Sequence, residues 1–313
     1  MTFINKNESP TPDQESNLKQ KAIVVISGGL DSTTALYWAM REFEVIGAVS
    51  FNYGQKHAIE LTYAEKTCQK LNIKHYIQDI NIFDSHSCLT SDKKVPSGHY
   101  ADDNMKVTVV NNRNSIMFSL ATSLAIDLQA DKIVVGIHAG DHFIYPDCRT
   151  AFIQRFNQLM KLANEGFVSE QFSVIAPFVM MSKADIAELG ILLGLDESST
   201  YSDYEGGKIQ NSQSGTSVER IEAISEAYYR IGKLIEPIEN YNSFDKTKYI
   251  NKSYAVDLLV KRKKEERLQT ILTVIKTNTD NLFNLVADER SYNYITQPVT
   301  ISYDYTTPPV TIS

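Results

Sequence analysis

Short, continuous apolar runs alternate along this chain with longer stretches whose apolar positions recur every three to four residues. Ala22–Ile26 is apolar at every position and predicts a strand buried on both faces. Ser32–Arg41 then predicts a helix and Val45–Phe51 a second strand. His57–Leu71 places Leu61, Ala64, Cys68 and Leu71 on one side of a second helix, and Lys74–Ile80 alternates as a third strand. Asn112–Leu128 predicts a helix, Lys132–Gly136 a fourth buried strand and Thr150–Ala163 a helix. Phe172–Ile175 predicts a short strand, and Ser182–Leu193 a further helix. Strand–helix–strand units repeated in this way imply an α/β fold, a doubly wound parallel sheet of about five strands. Ligands of such sheets sit beyond the carboxyl ends of the strands. Functional residues are therefore expected just after Ile26, Phe51, Asn111, Gly136 and Ile175.

Three regions break the rhythm. Residues 1–20 are polar, contain Pro10 and Pro12 and lack an apolar run, so a disordered arm is expected rather than a secretory signal. Asp84–Val110 is polar, contains Pro96 and Gly98, and reads as a lid or a mobile insertion; His86, Cys88 and His99 within it lack metal-ligand spacing. Past Pro237 the character changes, and Tyr249–Asp288 is helical, charged and long enough for two helices. The expected division is an arm at 1–20, one domain at 21–235, a helical extension at 236–290 and an extended tail at 291–313. That tail is a tandem duplication: Tyr292–Ser302 and Tyr303–Ser313 agree at eight of eleven positions. It is expected to be a loose terminus, with a strand added to a partner as the alternative.

Charge narrows the function classes. Against 31 basic residues stand 38 acidic ones, a formal charge of −7, which disfavours a nucleic-acid backbone as ligand. The one basic cluster, Lys261–Lys264 with Arg267, is interleaved with Glu265 and Glu266 and reads as a solvated helix face. No apolar run approaches the ~20 residues that cross a bilayer, so no membrane partner is expected. Cys68, Cys88 and Cys148 are far apart and unpaired in pattern, which points to a reducing cytoplasm.

The chemistry begins at Ser27-Gly28-Gly29-Leu30-Asp31-Ser32-Thr33-Thr34, where the first strand turns into the first helix. Two glycines let backbone N–H groups approach an anion, and a helix start adds free donors and a favourable dipole. Ser27, Ser32 and Thr33 add hydroxyls. No Gly-Lys-Ser/Thr follows, so this is not a loop built for γ-phosphate transfer. A purely structural glycine turn is the plain alternative. The full string after a buried strand outweighs it.

The string resembles the ATP-pyrophosphatase signature shared by GMP synthetase, NAD synthetase, argininosuccinate synthetase and the QueC family. Phe51-Asn-Tyr-Gly-Gln-Lys-His57, Arg113-Asn114, Tyr145-Pro-Asp-Cys-Arg149 and Ser182–Gly190 select QueC, over roughly Lys21 to Ile231. The resemblance implies a sheet of the HUP, or adenine nucleotide alpha hydrolase, type. It also implies that ATP, Mg²⁺ and ammonia convert 7-carboxy-7-deazaguanine, a small molecule, to a nitrile. Ser27, Gly28, Gly29, Leu30, Asp31, Ser32, Thr33 and Phe51 would then hold ATP and the departing pyrophosphate, with Asp31 acting through Mg²⁺. Lys183 and Arg113 would offer positive charge to phosphate oxygens. Gln55 and His57 would line the pocket. Asp141 or Asp147 would accept from a guanine-like base, Tyr145 would stack, and Arg149 would meet the substrate carboxylate. Plainer roles stand beside these: Lys183 as a surface-helix residue, Asp147 as a cap before Thr150, and His57 as the opening of its helix.

The family pattern fails in one place. Where QueC proteins carry four zinc-binding cysteines, this chain has Asp203, Asn211, Ser214 and Ser217, so no zinc is expected. Zinc-less QueC-like proteins resemble ancillary enzymes of bacterial antiviral operons of the CBASS type. In those, the deazaguanine acyl group passes to a protein N-terminus. The leading expectation is therefore adenylation followed by amide formation with a partner protein's amine. A 7-cyano-7-deazaguanine (preQ0) synthase using ammonia is the alternative, and a catalytically inactive nucleotide-binding scaffold a third. The resemblance also implies a homodimer.

Overall fold

A computed structural model of the chain describes residues 19–82, 87–91, 103–203, 215–241 and 252–284. Residues 1–18 of the expected arm and the duplicated tail lie outside these residues, while Gln20 O already accepts the Glu44 N–H at 3.0 Å. Five strands, β1 (Lys21–Val25), β2 (Glu44–Asn52), β3 (His75–Asp79), β4 (Lys132–Val134) and β5 (Ser173–Ile175), form one sheet in the order β3-β2-β1-β4-β5. Every neighbouring pair is parallel, in the α/β arrangement that the alternating runs predict. The chain steps outward from β1 through β3, then returns to the other side of β1 with β4. The switch point therefore lies between the carboxyl ends of β1 and β4, the place where ligands of such sheets bind.

Helices cover both faces: α1 (Leu30–Glu42), α2 (Glu60–Lys70), α3 (Arg113–Asp127), α4 (Thr150–Ala163), α5 (Lys183–Leu192), α6 (Gly215–Tyr241) and α7 (Lys252–Asn284). Alternate residues of each strand serve opposite layers, as the period of two requires. Ile23, Val49, Ile133 and Val174 pack with Phe118 of α3 and Phe156 of α4. Ala22, Val24, Ala48 and Val134 pack with Leu36 of α1, Ala64 of α2 and Leu189 of α5.

Two regions differ from the sequence expectation. The first is the C-terminal helical stretch, where α7 is one continuous helix of 33 residues rather than two. It buries Leu268, Ile271 and Ile275 in the same layer as α1 and α5. Arg267, expected on a solvated face, instead grips Glu188 with two donors, Nε at 2.6 Å and Nη2 at 2.9 Å. Glu188 of α5 is 2% exposed, so this pair is buried on the acidic side. Lys261, Arg262 and Lys263 do face solvent.

The second is the described part of the 84–110 segment, which is packed and not a loose lid. Cys88 and Leu89 are buried in the core, and Asp103–Thr108 forms a 3₁₀ helix. The Cys88 N–H donates to Val107 O at 2.9 Å, and the Lys56 N–H to Leu89 O at 3.0 Å. Two apolar residues in a polar segment carry no periodicity, and only the tertiary fold provides their partners. His86 and His99 lie outside the described residues. No helix among those described is long and apolar enough to cross a membrane.

Candidate active site

Gly28 sets the shape of the turn after β1. Its φ is +93°, and a Cβ there would stand 2.1 Å from the Glu60 carbonyl oxygen and 2.8 Å from the Ala64 nitrogen. Only glycine allows both the torsion and the approach to α2. The turn is tied by its own serines. Ser27 Oγ accepts the Gly29 N–H at 3.2 Å and lies 3.0 Å from Ser32 Oγ, which accepts the Ser27 N–H at 3.1 Å. The Tyr201 N–H donates to Gly28 O at 2.9 Å and braces the turn from behind. No side chain caps the start of α1 at Gly29, so first-turn amides remain to meet an anion. From the β4 side Gly136 comes close: a Cβ there would lie 2.8 Å from Ser32 N and Cα. Leu30 and Thr33 are buried under the turn, where Leu30 packs with Ala187, Ala223 and Ala227. At these positions the side chains are buried, so only the backbone could meet a ligand.

A compact set of charges gathers at the first turn of α1. Asp31 Oδ2 lies 3.5 Å from Lys183 Nζ and 3.8 Å from His138 Nε2, while Asp31 Oδ1 is buried with no hydrogen-bond partner among the described residues. Lys183 is the first residue of α5, and a reciprocal cap fixes that helix start. Ser182 Oγ accepts the Asp185 N–H at 3.2 Å, and Asp185 Oδ2 accepts the Ser182 N–H at 3.0 Å. Lys183 Nζ also meets Glu219 Oε2 of α6 at 2.7 Å. Burial acts to lower the Lys183 pKa, but Asp31, Glu219 and Asp141 together outweigh it and hold the ammonium charged well above the usual lysine range. His138 follows β4. Its Nδ1 accepts the Gly140 N–H at 3.1 Å, which assigns the proton to Nε2, 3.8 Å from the Oδ2 atoms of both Asp31 and Asp141.

Around the start of α3 lies a second, more neutral group. Arg113 Nη1 donates to Tyr53 Oη at 3.2 Å, and its guanidinium carbon sits 5.7 Å from the Tyr53 ring centre. Burial pushes the Tyr53 phenol up, partly opposed by Arg113. Asp147 accepts the Asn114 N–H at 3.1 Å through Oδ2, so it anchors the start of α3 and not the helix at Thr150. Tyr145 is buried, with its hydroxyl 2.6 Å from Thr108 Oγ1. Arg149 Nε donates to His142 O at 2.8 Å and draws the Asp141–Arg149 loop together. That loop joins the charged centre to the α3 group. Gln55 closes the turn after β2, accepting the Tyr53 N–H at 2.8 Å and donating to Phe51 O at 3.2 Å. His57 Nε2 pairs with Glu60 Oε1 at 2.7 Å, behind the Gly28 turn. Phe51 is buried at the end of β2.

Sequence reasoning named Asp31, Asp141 and Lys183, and the fold brings them together. It did not name His138 or Glu219. His138 was reachable, since it falls just after Gly136 in the expected zone. Glu219 lies two residues after Ser217, in a stretch read only for its missing zinc ligands, and nothing there pointed to the nucleotide turn.

The residues present fit a nucleotide and a divalent cation. The uncapped start of α1 leaves first-turn amides for phosphate oxygens, and Asp31 Oδ1, buried without a hydrogen-bond partner among the described residues, offers a hard oxygen ligand. Among the described residues no group of three or more His, Cys, Asp or Glu is arranged to hold a metal, so the remaining ligands of Mg²⁺ would be phosphate oxygens and water. Of the four positions expected to stand in for zinc ligands, Asp203 and Ser217 are buried, while Asn211 and Ser214 lie outside the described residues. Beside them Arg220 is buried and spans the 197–202 stretch. Its Nη1 donates to Thr200 Oγ1 at 2.6 Å and Ser202 Oγ at 3.3 Å, and its Nη2 to Glu197 O.

Comparison with known proteins places this arrangement. The family model described as Queuosine biosynthesis protein QueC matches residues 21–227. A 7-cyano-7-deazaguanine synthase from Pseudoalteromonas atlantica is 43% identical over 210 residues, 66% of this chain and 94% of that protein. Those from Rhizobium rhizogenes and Caldicellulosiruptor saccharolyticus are 47% and 46% identical, covering 65% and 70% of this chain and 86% and 95% of their own lengths. Among solved structures, NMN synthetase from Francisella tularensis is 14% identical over 69% of this chain and 86% of that one, with a TM-score of 0.33, too distant to bear on the site. The matched span contains the whole sheet, the glycine turn and each residue of the charged centre; the chain belongs to the QueC family.

Proposed function

We propose that this chain is an ATP-dependent 7-cyano-7-deazaguanine synthase. Its substrate is 7-carboxy-7-deazaguanine, and ammonia is the nitrogen donor. One observation supports this above all: an uncapped helix start with an unpartnered carboxylate oxygen and a buried, charged lysine stands at the switch point of the sheet. Such a set suits the separation of pyrophosphate from the α-phosphate.

A carboxylate is a poor electrophile. Its oxygen attacks the α-phosphorus of ATP, the bond to the bridging oxygen breaks, and pyrophosphate leaves with the electron pair. In this reading the first-turn amides of α1, with Ser27 and Ser32, orient the β- and γ-phosphates, and Lys183 balances the charge that builds on the departing group. Mg²⁺ bound at Asp31 would supply further charge neutralisation. Ammonia then attacks the acyl carbon, a C–N bond forms, and AMP departs as a proton leaves the nitrogen. The resulting primary amide keeps two N–H protons. A second ATP then adenylates the amide oxygen with release of another pyrophosphate, and departure of AMP with that oxygen, together with loss of both N–H protons, leaves the nitrile. Asp141, Arg113 and Arg149 are the polar groups of the Asp141–Arg149 loop and α3 start that would meet the base and its carboxylate.

Relatives sharing the name of a nitrile-forming synthase favour ammonia over the protein amine expected from the sequence. The conjugation reading, and with it a place in antiviral defence, is left resting on the altered positions 203, 211, 214 and 217. A secondary amide formed with a protein lacks the second proton and stops there. Incubation with 7-carboxy-7-deazaguanine, ATP, Mg²⁺ and ammonium should yield free nitrile by mass spectrometry. Substrate left unchanged would defeat the reading.

A further inference from the structure

Lys183 is held in two directions at once. Glu219 Oε2 takes the closer place, at 2.7 Å, and Asp31 Oδ2 lies at 3.5 Å. Asp31 belongs to the glycine turn itself, whereas Glu219 reaches in from α6, and its side chain is only 18% exposed. The α6 backbone around it is well anchored: Arg220 ties into the 197–202 stretch, and Arg230 Nη1 pairs with Asp185 Oδ1 at 2.8 Å. Glu219 therefore cannot follow Lys183 far if the ammonium turns toward a phosphate.

The geometry points to Glu219 as a positioning residue that parks Lys183 when no phosphate is bound and competes with the phosphates for it during turnover. This inference rests on the nucleotide reading of the site. A triphosphate entering the Gly28 turn brings several negative charges beside a lysine already paired with two carboxylates. Part of the Lys183–phosphate attraction is then spent in drawing the ammonium from Glu219. The same competition works in reverse on the product. After the α–β bond breaks, Glu219 reclaims Lys183, and the pyrophosphate loses a partner and leaves faster. The carboxylate thus weakens ATP binding in the ground state and helps the site to clear.

Affinity and turnover should split accordingly. Calorimetric titration of the full chain with α,β-methylene ATP, which cannot be cleaved at the relevant bond, reads affinity without the deazaguanine substrate. Glu219→Gln should lower the Kd about tenfold, as expected for freeing one partly buried ion pair worth about 1.4 kcal/mol. In a Lys183→Met background the same change should shift Kd less than about twofold, because the group being competed for is gone. In steady state Glu219→Gln should lower KM for ATP and lower kcat together, with pyrophosphate release slowed. Glu219→Asp, which keeps the charge but shortens the reach, should fall between wild type and Glu219→Gln. A Kd unchanged or raised by Glu219→Gln overturns the inference. So does equal tightening with and without Lys183, which would mark simple repulsion. Failure of the wild-type chain to bind the analogue overturns both this inference and the ATP reading; binding without tightening overturns this inference alone.

Discussion

Gly28 and Glu60 meet backbone to backbone, so that a Cβ on Gly28 would lie 2.1 Å from the Glu60 carbonyl oxygen. This contact lets α2 press against the turn between β1 and α1. Gly28→Ala should destabilise the chain by about 2–4 kcal/mol, from a strained positive φ and a clash that only a helix shift relieves. Denaturant unfolding measures the loss. Nucleotide binding should fall with it even where the fold survives, whereas Gly166→Ala, with the same sign of φ but open surroundings, should cost far less.

Asp31 and Lys183 face each other across the site, and each should matter to chemistry more than to folding. Asp31→Asn and Lys183→Met should each cut substrate-dependent pyrophosphate release about a hundredfold or more, the range seen when one preorganised charge is removed at a reacting centre. Rates measured on variants whose melting temperatures stay near wild type make the comparison.

The ion pairs of Lys183 also predict a pH response. Its folded pKa is raised, so the stability it contributes is fully present below the unfolded lysine value of about 10.4 and is lost only as pH climbs through the higher folded value. The difference in unfolding free energy between wild type and Lys183→Met should therefore stay level from about pH 6 to about pH 9. A steady decline over that window would contradict the assignment of Asp31, Glu219 and Asp141 as its supports.

Arg267 and Glu188 join α7 to α5 by a two-pronged contact. Removing Arg267 leaves the buried Glu188 carboxylate with Arg230 Nη1 at 3.7 Å as its remaining cation, so the loss should approach, without exceeding, the cost of a broken buried pair, about 3–5 kcal/mol. Arg267→Met should show this loss in denaturant melts. The double change with Glu188→Gln should cost less than the sum of the single changes, since neither charge is then left alone.

The 203–217 segment gives a compositional test. Asp203, Asn211, Ser214 and Ser217 stand where the resemblance expects the family's zinc cysteines, and neither serine nor asparagine is a good zinc ligand. Purified chain should contain well under one zinc per molecule by elemental analysis. Arg220→Met should destabilise the chain more than a chelator does. A stoichiometric zinc signal would reverse this view.

Much of the fold was legible because each signal was local. Ala22–Ile26 shows a buried strand by its unbroken apolar run, and Gly28 with Gly29 shows the turn. The rule that ligands sit beyond strand ends points to the residues just after Gly136, where His138 and Asp141 stand. What stayed hidden depends on contacts between distant segments. Cys88 and Leu89 look like chance apolar residues in a polar loop, and only Val107 and Lys56 make them core. Arg267 sits among exposed lysines, and only Glu188 distinguishes it. Glu219 has meaning only once α6 crosses α5. Gln55 and Asp147 show the reverse case: their types suited a ligand, yet their hydrogen bonds hold backbone.

The most direct test of the account is exchange of labelled pyrophosphate into ATP. With 7-carboxy-7-deazaguanine and Mg²⁺ present, the chain should catalyse that exchange. The exchange should stop when the deazaguanine is omitted or Asp31 is replaced by asparagine. ATP consumed to ADP and phosphate, with no label entering ATP, would show cleavage at the wrong bond and contradict the pyrophosphate role of the turn at Ser27.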